Sequence, residues 1–157
     1  KVYSVQEMVG NESMAKDYMG GQFILLYLSP AHYHRIHAPY SGKIISKHVL
    51  GNKSYPVNRM GLRYGKSPLS KNYRLAAEIK GEHGKYAIIK IGAMFVNSIE
   101  WTNPNDKVEK GEELGYFSFG SSVVLLFPKG FMEINQGLKK GGTIFMGNPL
   151  GMITKGE

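Results

Sequence analysis

The chain has 157 residues, 42% of them apolar and 20% charged, which excludes a disordered segment and suits one domain with a buried core. It has no cysteine, so disulfides, thiolate metal sites and cysteine nucleophiles are excluded together, and no apolar run reaches the ~20 residues of a membrane-spanning helix. The 20 Lys and Arg against 12 Asp and Glu leave a net charge of +8, a surface suited to nucleic acid or anionic lipid and equally to plain solubility.

In chain order, Val2 to Met8 reads as a short helix with Ser4 as its N-cap and Glu7 three residues on, a capping-box pattern. Gly20-Gly21 ends any helix there. Gln22 to Leu28 has strand length and reads as a buried strand bounded by Gly-Gly and Ser29-Pro30. Pro30 and Pro39 bracket a histidine-rich stretch, Ala31 to Ala38, placed on a turn or an edge. Lys43 to Leu50 is a second strand. Gly51 to Ser70 carries Gly and Pro at turn spacing and reads as loop. Tyr73 to Ile79 and Tyr86 to Ile91 form a hairpin around Gly81 to Gly84. Ala93 to Ile99 extends its second arm past Gly92, a bulge or close-approach glycine. Asn103 to Lys110 is a polar turn. Tyr116 to Phe127 is β-type, interrupted by Gly120-Ser121-Ser122. With 20 glycines, 10 tyrosines and no break in composition, the expected fold is mainly β. It is one compact domain over residues 1–157, a sheet or barrel-like α+β arrangement with few short helices. The first residue is Lys1, not methionine, and no signal-peptide pattern follows it, so a longer protein with residues upstream is expected.

Three constellations carry chemistry. His32, His34 and His37 fall within six residues, and on a strand His32 and His34 share a face. Histidine serves as base, acid or metal ligand near neutral pH. No Asp or Glu occurs between Asp17 and Glu78, so the ligand set of a zinc site is short of a carboxylate and no metal is expected. The second is Phe119-Gly120-Ser121-Ser122-Val123. Blind, it is a strand with a glycine kink, and it lacks the Gly-x-Ser-x-Gly spacing of a nucleophile elbow. A serine after a glycine can instead attack its own peptide bond when a base stands near, because glycine permits the approach. The third is the basic and aromatic segment Arg59 to Arg74, with Arg63, Tyr64, Lys66, Lys71 and Tyr73. No RNA-binding motif accompanies it, so nucleic acid is not expected as a partner.

Two of these occur together in one family. The segments Tyr27-Leu-Ser-Pro-Ala-His-Tyr-His-Arg-Ile-His-Ala-Pro39, Tyr55-Pro-Val-Asn58, Asn72-Tyr-Arg74, Gly92-Ala-Met-Phe-Val-Asn-Ser-Ile99 and Lys110-Gly-Glu-Glu-Leu-Gly-Tyr-Phe-Ser-Phe-Gly-Ser-Ser-Val123 resemble, in order, pyruvoyl-dependent phosphatidylserine decarboxylase of the short bacterial type. The resemblance implies a proenzyme that cuts itself between Gly120 and Ser121. Ser121 Oγ attacks the Gly120 carbonyl to give an ester; elimination and hydrolysis then release ammonia and leave a pyruvoyl group. Residues 1–120 would belong to a β chain and 121–157 to an α chain. His37 matches the base of self-cleavage and His34 the proton donor of decarboxylation. The pyruvoyl ketone would be the electron sink as CO₂ leaves. The partners implied are phosphatidylserine, an anionic membrane surface on the cytoplasmic face and a second αβ unit in a homodimer. Arg63, Lys66 and Arg74 are expected to meet lipid phosphate or the anionic leaflet.

The family's orienting aspartate, in a Ser-Pro-x-Asp-Gly-like segment that completes an Asp-His-Ser arrangement, has no counterpart here. Asp17 and Asp106 are the only aspartates, and neither fits the pattern. The aspartate and a membrane-associating part are expected upstream. Two other readings stay open. One is a non-catalytic lipid-binding remnant of the same fold. The other is a zinc hydrolase on His32, His34 and His37.

Overall fold

The computed structural model describes residues 2–29, 31, 33–94, 100–117 and 121–154. Two short helices open the chain, α1 (Val5–Val9) and α2 (Glu12–Tyr18). Ser4 is the N-cap of α1 as predicted, its side chain accepting from the Glu7 amide, but the helix spans Val5–Val9 instead of Val2 to Met8, and Gly10 closes it at φ 68°. The strands that follow are β1 (Gln22–Leu28), β2 (Arg35–His37) and β3 (Gly42–Leu50). After helices α3 (Arg59–Tyr64) and α4 (Pro68–Lys71) come β4 (Arg74–Gly81), β5 (Gly84–Ile91), β6 (Glu100–Trp101), β7 (Lys107–Val108) and β8 (Glu113–Tyr116). The last three strands are β9 (Ser121–Phe127), β10 (Met132–Ile134) and β11 (Gly151–Ile153).

One antiparallel six-stranded sheet runs β1-β9-β5-β4-β3-β7, a three-stranded sheet runs β2-β8-β6, and β10 pairs with β11. The fold is therefore mainly β, as expected. The β4–β5 hairpin closes at Gly81↔Gly84, where the sequence placed it.

The two-residue period of the strands splits the core in two. On β5, Ala87, Ile89 and Ile91 face the helical layer, where Val9, Met14, Ala15, Tyr18, Val57 and Leu69 lie. Tyr86 and Ile88 face the other way, toward Ile36, Leu114 and Phe117 of the three-stranded sheet and its exit. Strand β9 alternates alike: Val124 and Leu126 join the helical side, Val123, Leu125 and Phe127 the second-sheet side. Burying each such aliphatic side chain stabilises by about 1.5–3 kcal/mol. The site described below sits on the second-sheet side.

Several expectations need correction. Gln22 to Leu28 is a strand but not a buried one. As β1 it is an edge, with Phe23 66% and Tyr27 41% exposed. The expected loop over 51–70 contains α3 and α4. Six and four residues are too few to show a helical period, and only local chemistry starts them, with Asn58 Oδ1 accepting from the Gly61 amide and Pro68 in the first turn. Strand β5 ends at Ile91, and the rest of its predicted extension, residues 95–99, lies outside the described residues. Ser121 and Ser122 do not interrupt a strand but begin one.

Two residues of the Asn72-Tyr-Arg74 motif are structural. Asn72 is fully buried; its side-chain amide donates to the Tyr55 and Gly92 carbonyls and its Oδ1 accepts from the Tyr55 amide, so it ties the 51–58 loop to the end of β5. Arg74, expected at the lipid surface, is only 3% exposed and is withdrawn from that role. Its guanidinium donates to the carbonyls of Glu7, Met8 and Asn72. The first two belong to the last turn of α1, whose carbonyls have no helical partner. His48 Nε2 donates to the third, Val9. Burial pushes the Arg74 pKa down from its usual value.

Candidate active site

Ser121 is the first residue of β9 and pairs with Leu28 of β1. It is fully buried, and its Oγ has no hydrogen-bond partner among the described residues. The alternation of β9 turns it toward the second-sheet side. Ser122 faces the opposite layer, where its equally buried Oγ donates to the Val57 carbonyl at 3.4 Å. Two adjacent buried serines thus differ: one hydroxyl is used by the fold and the other is not. Leaving a buried hydroxyl unsatisfied costs about 1–3 kcal/mol, and such groups concentrate where chemistry needs them. A pyruvoyl group in place of Ser121 would cost the fold no hydrogen bond of that side chain, so this residue fits the group.

Strand β2 ends on His37, and His34 immediately precedes the strand. It pairs with β8, Arg35 opposite Tyr116 and His37 opposite Glu113, and the Phe117 amide donates to the His34 carbonyl at 3.0 Å. On the outer face Arg35 Nη1 donates to both carboxylate oxygens of Glu113, at 2.8 and 2.7 Å, across the same strand pair. His34, half-buried, is therefore held beside Phe117, four residues before Ser121. His37 lies at the other end of β2, level with a residue eight before Ser121.

The His37 tautomer follows from its neighbours. Nδ1 is 2.7 Å from the Gly111 carbonyl, which can only accept, so Nδ1 carries the proton. In the neutral ring Nε2 then holds the lone pair, and the Tyr33 hydroxyl donates to it at 2.8 Å. A backbone carbonyl thus orients the ring, the task of the aspartate in the family pattern. Of the two aspartates, Asp17 pairs with Lys85 at 2.6 Å and Asp106 lends its backbone carbonyl to Ile44.

Among the described residues no hydrogen bond joins Ser121 Oγ to a histidine, and no three His, Asp or Glu side chains converge to hold a metal ion. His32 and Gly120, with Ser118 and Phe119, lie outside the described residues.

Sequence reasoning missed three participants. Tyr33 stands inside the quoted histidine motif, and Gly111 marks a tight turn at φ 85°. Lys90 is fully buried on β5, and its signal was a lone charge in the apolar run Tyr86 to Ile91.

The sequence model of phosphatidylserine decarboxylase matches residues 1–152. A phosphatidylserine decarboxylase proenzyme from Anoxybacillus flavithermus is 52% identical over 155 residues, 99% of this chain and 58% of the relative. Proenzymes of the same name from Bacillus thuringiensis (strain Al Hakam) and Bacillus cereus (strain AH187) are each 53% identical over 150 residues, 96% of this chain and 57% of theirs. The chain spans somewhat less than three-fifths of the length of these curated relatives.

Proposed function

The chain belongs to the phosphatidylserine decarboxylase family, and from that premise we propose that it is the catalytic part of a self-processing enzyme converting phosphatidylserine to phosphatidylethanolamine. The observation that carries the proposal is the Ser121 hydroxyl, fully buried, without a hydrogen-bond partner among the described residues and first in its strand. The name proenzyme, borne by the relatives, supports a processing step.

In this reading His37 Nε2 takes the proton from Ser121 Oγ, which adds to the Gly120 carbonyl carbon. The Gly120–Ser121 C–N bond breaks and the serine nitrogen gains a proton, leaving an ester. Tyr33 must release Nε2 for this, while the Gly111 carbonyl keeps Nδ1 protonated and the ring in place. When present, a pyruvoyl group at position 121 supplies a ketone that accepts the electron pair released with CO₂. His34 returns a proton to the carbon that lost CO₂. The apolar side chains of Val123, Leu125 and Phe127 exclude water from that side of β9. Intact mass measurement of the full-length purified protein is expected to find two chains, the smaller one blocked and beginning at residue 121. A single uncut chain without a ketone would overturn the reading.

The reading places the enzyme peripherally on the anionic cytoplasmic face of a membrane, as a homodimer of two-chain units. No helix among the described residues is long and apolar enough to cross a bilayer. Helix α3 supports surface docking, with Met60 63% and Tyr64 66% exposed one turn apart, flanked by exposed Arg59, Arg63 and Lys66. Each basic residue near an anionic surface contributes about 1 kcal/mol, so Arg59→Ala with Arg63→Ala is expected to weaken binding to phosphatidylserine-rich vesicles roughly tenfold or more. Sedimentation with vesicles checks this. Unchanged binding would remove α3 from the membrane face.

A further inference from the structure

Lys90 is fully buried in the layer between the two sheets. It pairs with Val123 across the β5–β9 ladder. Alternation along β5 turns it to the second-sheet side, and alternation along β9 turns Ser121 the same way. Ser121, two residues before Val123, is thus its diagonal neighbour on one face, about 7–8 Å away and within reach of a long side chain. Around its ammonium lie the Phe117 ring, with its centroid at 5.1 Å, the Trp101 ring at 6.0 Å and the Tyr116 carbonyl at 3.5 Å. The two rings lie beneath the ammonium, an arrangement in which their electron-rich faces attract a cation. The Trp101 indole nitrogen is buried in the same layer and has no hydrogen-bond partner among the described residues. Two polar groups without a hydrogen-bond partner among the described residues, Ser121 Oγ and Trp101 Nε1, therefore face the same apolar layer as the Lys90 ammonium. Keeping an ammonium there costs stability, and an apolar residue would pack the layer more cheaply.

We propose that Lys90 binds the headgroup carboxylate beside residue 121, a role that rests on the decarboxylase reading. The amine and the carboxylate of a serine headgroup share one carbon. When the amine approaches residue 121, the carboxylate comes within reach of a cation diagonal to it, and the phosphodiester lies farther out. The carboxylate leaves as neutral CO₂, so the same cation does not hold the product.

The test uses two phosphate esters without an amine, so neither reacts with a ketone. One is 3-phosphoglycerate, with a carboxylate; the other is 2-hydroxyethyl phosphate, without one. Each is titrated by calorimetry into the full-length protein and into its Lys90→Met and Lys90→Gln variants. Wild type is expected to bind 3-phosphoglycerate at least roughly tenfold tighter, the size of a lost charge-assisted hydrogen bond. In both variants that preference shrinks to about twofold through loss of 3-phosphoglycerate binding. Equal binding of the two ligands by wild type, a preference that survives both substitutions, or a parallel loss of both ligands overturns the proposal. The first of these needs no variant. Intact mass on the same samples reads the parent proposal separately: an uncut wild type would sink the decarboxylase reading, while the titration still decides whether Lys90 selects a carboxylate.

Discussion

Ser121→Ala in the full-length protein is expected to stay a single uncut chain, to carry no ketone and to release no phosphatidylethanolamine. Alanine removes the Oγ that attacks the Gly120 carbonyl and that departs again with the Gly120 carboxylate on elimination, so no ketone can form at residue 121 and both activities go to background together. The fold should not suffer. Ser121 Oγ is fully buried and has no hydrogen-bond partner among the described residues, so its loss breaks none and removes an unsatisfied polar group. The thermal midpoint is expected to hold or to rise. Ser122→Ala is the control. It loses the 3.4 Å hydrogen bond to the Val57 carbonyl, about 1 kcal/mol of stability, and should still be cut. Denaturing gels and calorimetric melting of the two variants decide the matter. If Ser122→Ala fails to cut while Ser121→Ala cuts, the nucleophile has been assigned to the wrong serine.

The two histidines are expected to separate processing from turnover. Withdrawing a general base or acid slows its step by about 10²–10⁴-fold. His37→Gln should therefore accumulate the uncut chain, since Nε2 is the atom assigned to deprotonate Ser121. His34→Gln should mature to two chains and then turn over lipid some 10²–10⁴-fold more slowly. A time course of chain cleavage, followed by headgroup assay of whatever matures, reads both. Cleavage by His37→Gln at the wild-type rate would end its role as the base. The register makes His37 the more demanding assignment. It stands opposite Glu113 and is engaged by Tyr33, whereas the His34 backbone is bonded next to Phe117.

Much of this was legible along the chain because it depends on near neighbours. Ser4 caps α1 through an amide three residues away, and the β4–β5 hairpin turns between glycines. Both are local events that residue type announces. The order of motifs from Tyr27 to Val123 was enough to suggest the family that residues 1–152 match. Arg74 shows where such reading stops. Its position in a basic segment pointed to lipid, but its guanidinium closes the end of a helix 66 residues earlier in the chain. Gln22 to Leu28 looked buried because it is apolar, yet among the described residues no strand of the sheet lies beyond it.

The sequence alone determined the residue types available for chemistry: no thiol, three clustered histidines, a Gly-Ser pair and an excess of positive charge. Only the tertiary structure decided which of them the fold consumes. Whether a serine is bonded, which histidine nitrogen carries the proton and whether a lysine meets water are set by groups brought in from distant strands and turns. Pairing β9 with β1 and β5 and laying β2-β8-β6 across one face bring Ser121, Lys90 and Phe117 to the same side of the main sheet. Hydrogen bonding and desolvation act over a few ångströms of space, whatever the separation along the chain.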